Sequence, residues 1–118
     1  MLIPGLIKVN GYSSVVRWIT RNFEVVPGSI YDSPDRAANF YEFPYDWRRD
    51  NRVAARALQR FVASRLPLWR QHSGAQDAKV VILAHSMGGL VARRYVEVLG
   101  GWKDCRALVT FGTHTADR

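Results

Sequence analysis

Residues 84–89 read Ala-His-Ser-Met-Gly-Gly and place a serine between small residues, in the pattern small-x-Ser-x-Gly. Ala84 and Gly88 stand two positions before and after Ser86. Small residues there let a strand and a helix approach closely, so that a serine on the sharp turn between them projects its hydroxyl above the sheet edge. Such a turn is a nucleophile elbow, and its chemistry is the attack of an activated serine on an acyl carbon.

An ordinary strand-to-helix turn with a capping serine is the alternative interpretation of Ser86. That alternative gives no reason for Gly88 and Gly89 in the first turn of a helix, where each glycine costs about 1 kcal/mol relative to alanine. The pair of glycines therefore favours Ser86 as a nucleophile.

A buried strand and a helix are predicted on either side of this turn. Residues 80–84 are five apolar residues, β-branched at the start, which predict a short strand. Residues 90–99 predict a helix closed by two glycines at 100–101, and residues 106–111 predict a last strand. Residues 80–111 thus form a strand–helix–strand unit. Ligands bind beyond the carboxyl ends of strands in such sheets, which is where Ser86 is expected.

The rest of the chain also alternates between predicted strands and helices. The expected elements are an irregular segment at 1–12, a helix from Ser13 or Ser14 to about Asn22, a strand at 23–26 stopped by Pro27-Gly28, a loop at 29–38, a strand at 39–43, a long helix after Asn51 that Pro67 ends or kinks, and a linker at 72–77. This alternation predicts an α/β fold with a mostly parallel sheet and crossover helices.

Composition restricts the class of protein. The 118 residues, 47% of them hydrophobic, suit one folded domain with one core. No apolar run reaches the ~20 residues of a membrane span, and no basic stretch precedes an apolar core at the N-terminus. We therefore expect no signal peptide and, by default, a cytoplasmic location. Cys105 is the single cysteine, so no internal disulfide is expected.

Arginine supplies most of the formal charge of +7. Arg52, Arg56 and Arg60 stand one helical turn apart and predict the solvated face of an amphipathic helix. Attraction to an anionic membrane surface and to nucleic acid are the alternatives. No zinc knuckle, aromatic RNA-binding strand or helix-turn-helix pattern supports nucleic acid, which is disfavoured. Three scattered histidines and one cysteine lack zinc-ligand spacing, so no metal is expected.

Three segments together resemble the lecithin:cholesterol acyltransferase family of α/β-hydrolases, in its bacterial lipase or acyltransferase-like form. They are residues 43–48 (Phe-Pro-Tyr-Asp-Trp-Arg), 84–89 and 110–113 (Thr-Phe-Gly-Thr). The resemblance implies a serine-dependent lipase, esterase or O-acyltransferase that acts on a lipid or ester substrate through an acyl-serine and needs no cofactor. It carries over Ser86 as the nucleophile and the backbone N–H of Met87 as an oxyanion donor.

The end of the chain departs from the family pattern, because residues 114–118 read His-Thr-Ala-Asp-Arg where the family continues with proline. The family's catalytic acid and histidine normally come from later strands. We therefore expect residues 1–118 to form a single, partial α/β-hydrolase domain. His114 is the candidate base within the chain, and Pro4-Gly5 is a candidate source of the second oxyanion donor.

The remaining candidates have structural interpretations. Asp46 is expected to pair with a neighbouring arginine, since the catalytic acid of this fold follows the serine in the chain. His85 and His72 are expected to be structural. The alternative to an enzyme is a catalytically incomplete remnant or a lipid-surface binding module, which could associate through exposed sheet edges.

Overall fold

The described residues form five strands and three α-helices. The structure, a computed structural model, describes residues 6–9, 13–29, 31–33, 36–43, 50–85 and 87–111. The elements are β1 (Leu6–Val9), α1 (Ser13–Asn22), β2 (Pro27–Gly28), β3 (Phe40–Phe43), α2 (Asn51–Ser73), β4 (Val80–His85), α3 (Gly88–Glu97), a short 3-10 turn (Gly101–Lys103) and β5 (Cys105–Phe111).

The strands form one parallel sheet in the order β2-β3-β1-β4-β5. β1 lies between β3 and β4, with Val9 opposite Phe43 on one side and Ala84 on the other. β4 also pairs with β5, where Ala84 lies opposite Thr110. The predicted α/β organisation with a parallel sheet is therefore confirmed.

Alternate residues of β4 face two separate apolar clusters, as the strand period of two requires. Val80, Ile82 and Ala84 are buried in the larger cluster, which contains the inner faces of α2 and α3. Leu83 is buried in a smaller cluster with Ile19 of α1. The helices therefore cover both faces of the sheet, and β4 receives packing from each side.

The prediction that residues 1–12 are irregular is wrong for Leu6–Val9, which form β1. This strand has only four residues and lies close to turn-forming Pro4-Gly5 and Asn10-Gly11. Its length and pattern give no local signal, whereas β3 and β4 pair with it along both edges. Tertiary context thus decides the conformation of a segment whose own propensity is weak.

The predicted strand at 23–26 is also displaced, since β2 consists of Pro27–Gly28. The side chain of Asn39 explains the difference. Its Oδ1 accepts a hydrogen bond from the Val26 N–H at 2.6 Å, and its Nδ2 donates to the Glu24 carbonyl at 3.2 Å. Asn39 is 1% exposed, so this buried amide replaces the strand partners that residues 24–26 would otherwise need.

Pro67 does not end α2, which continues for six more residues to Ser73. Leu66 and Trp69 on either side of the proline are buried, and their packing favours continuation of the helix. Pro67 itself is exposed. The carbonyl four residues earlier, which loses its intrahelical donor, can then be hydrated. The helix ends at Gly74, whose φ of 80° is the left-handed conformation that glycine adopts readily.

α3 begins and ends two residues before the predicted helix at 90–99. Gly88 and Gly89 thus belong to the first turn of α3, and the helix ends at Glu97. Gly100, with a φ of 81°, precedes the 3-10 turn that leads into β5. The predicted strand at 106–111 is confirmed by β5, which starts one residue earlier.

Candidate active site

The connection between β4 and α3 consists of two residues. β4 ends at His85 and α3 begins at Gly88. Ser86, the predicted nucleophile, lies outside the described residues. Met87 adopts helical dihedral angles (φ −62°, ψ −23°) at the start of α3, and its side chain is exposed. The chain therefore passes from strand to helix with two residues between the two elements.

Small residues on both sides of this turn are buried, as close packing of strand and helix requires. Ala84 is fully buried in the sheet, and Gly88 and Gly89 are buried at the start of α3. A Cβ atom on Gly89 would lie 3.4 Å from Cγ2 of Thr110 on β5. A side chain of one methyl group would thus be in ordinary van der Waals contact with β5, so α3 packs directly against the neighbouring strand at this position.

Among the described residues, no side chain caps the start of α3. The N–H of Leu90 donates to the Met87 carbonyl at 3.1 Å. The first N–H groups of a helix have no acceptor within the helix, and together with the helix dipole they favour negative charge nearby. This end of α3 lies at the carboxyl edge of the sheet, where it can stabilise an anion.

The strand order changes direction at this same edge. From β1 the chain continues to β2 and β3 on one side of the sheet, whereas from β4 it continues to β5 on the other side. Adjacent strands whose connections lead in opposite directions leave a crevice at their carboxyl ends, and ligands bind there in open α/β sheets. The crevice between β1 and β4 is therefore the natural binding position in this fold.

Two histidines can be located relative to this crevice. His85 is the last residue of β4 and is partly buried. His72 lies in the last turn of α2 with its ring 5.6 Å from that of Trp69. Since α2 leads into the amino end of β4, His72 lies at the edge of the sheet opposite to the crevice. His114 and Asp46 lie outside the described residues.

The candidate oxyanion donor at Pro4-Gly5 also lies outside the described residues. The described chain enters β1 at Leu6, the amino end of that strand, and leaves it at Val9, the carboxyl end. β1 and β4 are parallel, so the crevice is at the Val9 end of β1 and not at the Leu6 end.

A charged cluster at the start of α2 was missed as a unit by the sequence analysis, which noted only its arginines. Asp50 caps α2 by accepting from the Arg52 N–H at 2.8 Å, and its carboxylate also pairs with the Arg52 guanidinium. Side-chain and backbone hydrogen bonds from Arg52 lower the pKa of Asp50 to about 2, and the charge of Arg94 on α3 adds to the effect. An aspartate just before a helix was the available signal.

Asp50 and three residues of α2 line an open depression of about 250 Å³; the three are Arg52, Val53 and Arg56. Within the described ranges, no group of three or more histidine, cysteine or acidic side chains is placed to hold a metal ion. No helix in the described part of the chain combines the length and the hydropathy needed to cross a bilayer.

Comparison with known proteins identifies the family. The family model for lecithin:cholesterol acyltransferase matches residues 34–113, which include all three segments that carry the sequence resemblance. No curated protein and no solved structure matches the chain. The family match covers well over half of the 118 residues, and the family predicted from the sequence is confirmed. The chain therefore belongs to the lecithin:cholesterol acyltransferase family.

Proposed function

We propose that this protein is a serine-dependent lipase, esterase or O-acyltransferase that cleaves a lipid or other ester through an acyl enzyme on Ser86. Membership of the family supports acyltransferase or lipase-like activity on lipid substrates. The observation that carries the serine mechanism is the two-residue connection between His85 and Gly88, with Ser86 in it and with a buried small residue on each side. This connection has the length and composition of a nucleophile elbow.

The reaction has two halves. Ser86 Oγ attacks the ester carbonyl carbon while a general base takes the hydroxyl proton, and the carbonyl oxygen becomes an oxyanion. The tetrahedral intermediate collapses when the ester C–O bond breaks, and the base returns the proton to the departing alcohol. Water or an acceptor hydroxyl then attacks the acyl-serine in the same way and regenerates Ser86. Water gives hydrolysis, and an acceptor alcohol gives acyl transfer.

Two backbone donors stabilise the oxyanion in this proposal. The first is the N–H of Met87, which precedes α3 and has no acceptor within that helix. The second comes from residues 10–12, which follow β1, because the carboxyl end of β1 opens onto the crevice beside β4. This assignment replaces the one at Pro4-Gly5, which precedes the amino end of β1.

His114 is the candidate general base. β5 is the neighbour of β4 and ends at Phe111 on the carboxyl edge of the sheet, three residues before His114. Three extended residues span ~10 Å, and adjacent strands are ~4.8 Å apart, so a segment of this length is long enough for the base to come from residue 114. His72, at the opposite edge, is excluded from this role by its position on α2.

Labelling with a fluorophosphonate probe tests the proposal, because the probe reacts with serines that a base has activated. We expect the native chain to be labelled and Ser86→Ala to be unlabelled. Ser64→Ala is the matched control, since Ser64 lies on α2 with its hydroxyl donating to the Phe61 carbonyl at 2.9 Å. This control should be labelled like the native chain. Labelling of Ser86→Ala would contradict the assignment of the nucleophile.

The same assay tests the base and the alternative function. His114→Ala should slow labelling and ester turnover by at least ~10³-fold, the scale of triad losses, whereas His72→Ala should change neither. If neither the native chain nor any variant is labelled, Ser86 is not activated. That result would favour the alternative of a catalytically incomplete protein that binds lipid surfaces.

A further inference from the structure

The exposed face of α2 carries a row of arginines with few acidic partners in the described part of the chain. Arg52, Arg56 and Arg60 are spaced by one turn and are all exposed, as the sequence predicts. Arg52 pairs with Asp50, whereas neither of the other two arginines forms an ion pair with a described residue. Two guanidinium groups without an acidic partner among the described residues therefore lie exposed on one helix face.

α3 extends this face with apolar and cationic side chains. Leu90 is 43% exposed and stands four residues before Arg94, so the two share one stripe of the helix. The charge of Arg94 contributes to the lowered pKa of Asp50, so this stripe lies beside the start of α2. On α2, Val53 is 50% exposed and lines the depression between the arginines. The cationic face is thus formed by Arg52, Val53, Arg56, Arg60, Leu90 and Arg94.

The location of the cationic face relates it to the crevice. α2 and α3 both begin at the carboxyl edge of the sheet, because each follows the carboxyl end of a parallel strand. Met87, next to Ser86, is also exposed and continues the apolar stripe that contains Leu90. A surface that contacts the cationic face therefore also lies close to the entrance of the crevice between β1 and β4.

The mixture of side chains selects among anionic partners. Guanidinium groups bind phosphate oxygens through paired hydrogen bonds, which suits any phosphate surface. Exposed valine, leucine and methionine gain from leaving water, and they do so in the acyl boundary of a bilayer but not along a polynucleotide backbone. The combination fits a lipid surface with anionic headgroups better than it fits nucleic acid.

We propose that the cationic face docks the protein on an anionic lipid bilayer, with the carboxyl edge of the sheet turned toward the membrane. The arginines contact headgroup phosphates, and Val53 and Leu90 enter the boundary between headgroups and acyl chains. In this orientation an ester at the bilayer surface lies next to the crevice. The benefit to catalysis rests on the function proposed for Ser86, whereas the docking itself does not.

Vesicle co-sedimentation of the full chain tests the docking. The probes are vesicles of phosphatidylglycerol mixed with phosphatidylcholine, and vesicles of phosphatidylcholine alone. We expect binding to the first and little to the second, and weaker binding as salt rises from ~50 to ~500 mM. Arg56→Gln/Arg60→Gln should lower the partition coefficient about 30-fold, at ~1 kcal/mol for each basic residue near an anionic surface. Glutamine is a good helix former, so α2 should be retained.

A second double variant removes the same charge elsewhere. Arg21 and Arg106 are both exposed, the first in the last turn of α1 and the second at the start of β5, so both lie at the amino edge of the sheet. Arg21→Gln/Arg106→Gln should lower binding less than ~3-fold, the effect of net charge alone. Leu90→Ser should weaken the binding that persists at high salt.

Several outcomes would overturn the docking proposal. Equal losses in the two double variants would mean that net charge, and not the cationic face, controls binding. Binding to a soluble DNA duplex without binding to vesicles would indicate a nucleic-acid partner. Ser86→Ala separates the two proposals, since it should bind vesicles like the native chain. Vesicle binding without probe labelling would support the docking proposal and contradict the catalytic one. Probe labelling without vesicle binding would support the catalytic proposal and contradict the docking one.

Discussion

α2 and α3 begin at the same edge of the sheet, but their first turns are built differently. Asp50 caps α2, and the Arg52 N–H at 2.8 Å and the Arg52 guanidinium both bind its carboxylate. α3 begins at Gly88, follows Met87, and has no side-chain cap among the described residues. Its first two residues are glycines, Gly88 and Gly89. The start of α2 thus uses a described side chain to satisfy an N–H group, and the start of α3 does not.

This difference separates a helix end that contributes stability from one that is available to a ligand. A capping side chain satisfies an N–H group and stabilises the helix. The two glycines at the start of α3, each at a cost of about 1 kcal/mol, weaken the helix at this end, and no described side chain caps it. Local rules of stability are commonly broken where a site needs free donors or close packing. The start of α3 breaks two of them, next to Ser86.

Replacement of Met87 by proline should have the largest effect on this comparison. Proline has no N–H group, and its ring holds φ near −65°, which matches the φ of −62° at Met87. Removal of one oxyanion donor costs ~10²–10³ in turnover number. We expect a fall of that size in ester turnover, with the midpoint of thermal unfolding close to that of Met87→Ala.

Met87→Ala is the matched control, because it removes the same side chain but keeps the N–H group. The rates of the two variants measured side by side separate the two contributions. Equal rates for Met87→Pro and Met87→Ala would show that the Met87 N–H does not stabilise the oxyanion.

Sequence patterns were informative where a segment carries its own signal. The spacing of small residues at 84–89 indicated the turn before α3, and the spacing of the arginines indicated the exposed face of α2. Helix and strand periods determine which residues share a face. The bounds of α1 match the prediction, since Ser13 and Asn22 are both the kinds of residue found at helix ends. These features depend on residues that are close together in the sequence, so sequence patterns alone can predict them.

The features that the sequence did not reveal depend on distant partners. β1 is a strand because β3 and β4 pair with it, and the backbone of residues 24–26 is occupied by the side chain of Asn39, thirteen or more positions away. The continuation of α2 past Pro67 depends on the burial of Trp69. For the same reason the sequence alone did not indicate which end of β1 meets the crevice, because only the pairing of β1 with β4 shows it.

Gly89 provides a second test of the comparison, with an effect on stability of intermediate size. A Cβ atom at this position would lie 3.4 Å from Thr110 Cγ2, which is near the limit of ordinary contact, so the two γ-methyl groups of a valine would overlap β5. We expect Gly89→Val to lower the free energy of unfolding by about 1–3 kcal/mol through overpacking. Urea denaturation measures this change.

Gly89→Ala is the control for Gly89→Val. Its single methyl just fits against Thr110, and alanine favours the helix by about 1 kcal/mol, so its free energy of unfolding should equal or exceed that of the native chain. If Gly89→Val is as stable as Gly89→Ala, packing between α3 and β5 does not limit the size of the side chain at this position.

Asp50 provides the smallest effect, at the capped start of α2. Its pKa in the folded chain is about 2, chiefly because Arg52 donates hydrogen bonds to the carboxylate, and the ordinary value is 3.8. A lowered folded pKa means that the carboxylate contributes its full stability above pH 3.8, and that this contribution is lost as pH falls from 3.8 toward 2.

Asp50→Asn keeps an acceptor at the cap but has no charge. Its deficit in unfolding midpoint should therefore be larger at neutral pH than near pH 3, and it should shrink as salt screens the exposed pair. A carboxyl NMR titration checks the cause directly, since Arg52→Gln should move the pKa of Asp50 back toward 3.8. A deficit that stays constant across this pH range would show that the cap acts through its oxygen atoms alone, and the contrast between the two helix starts would then rest on hydrogen bonding without a contribution from charge.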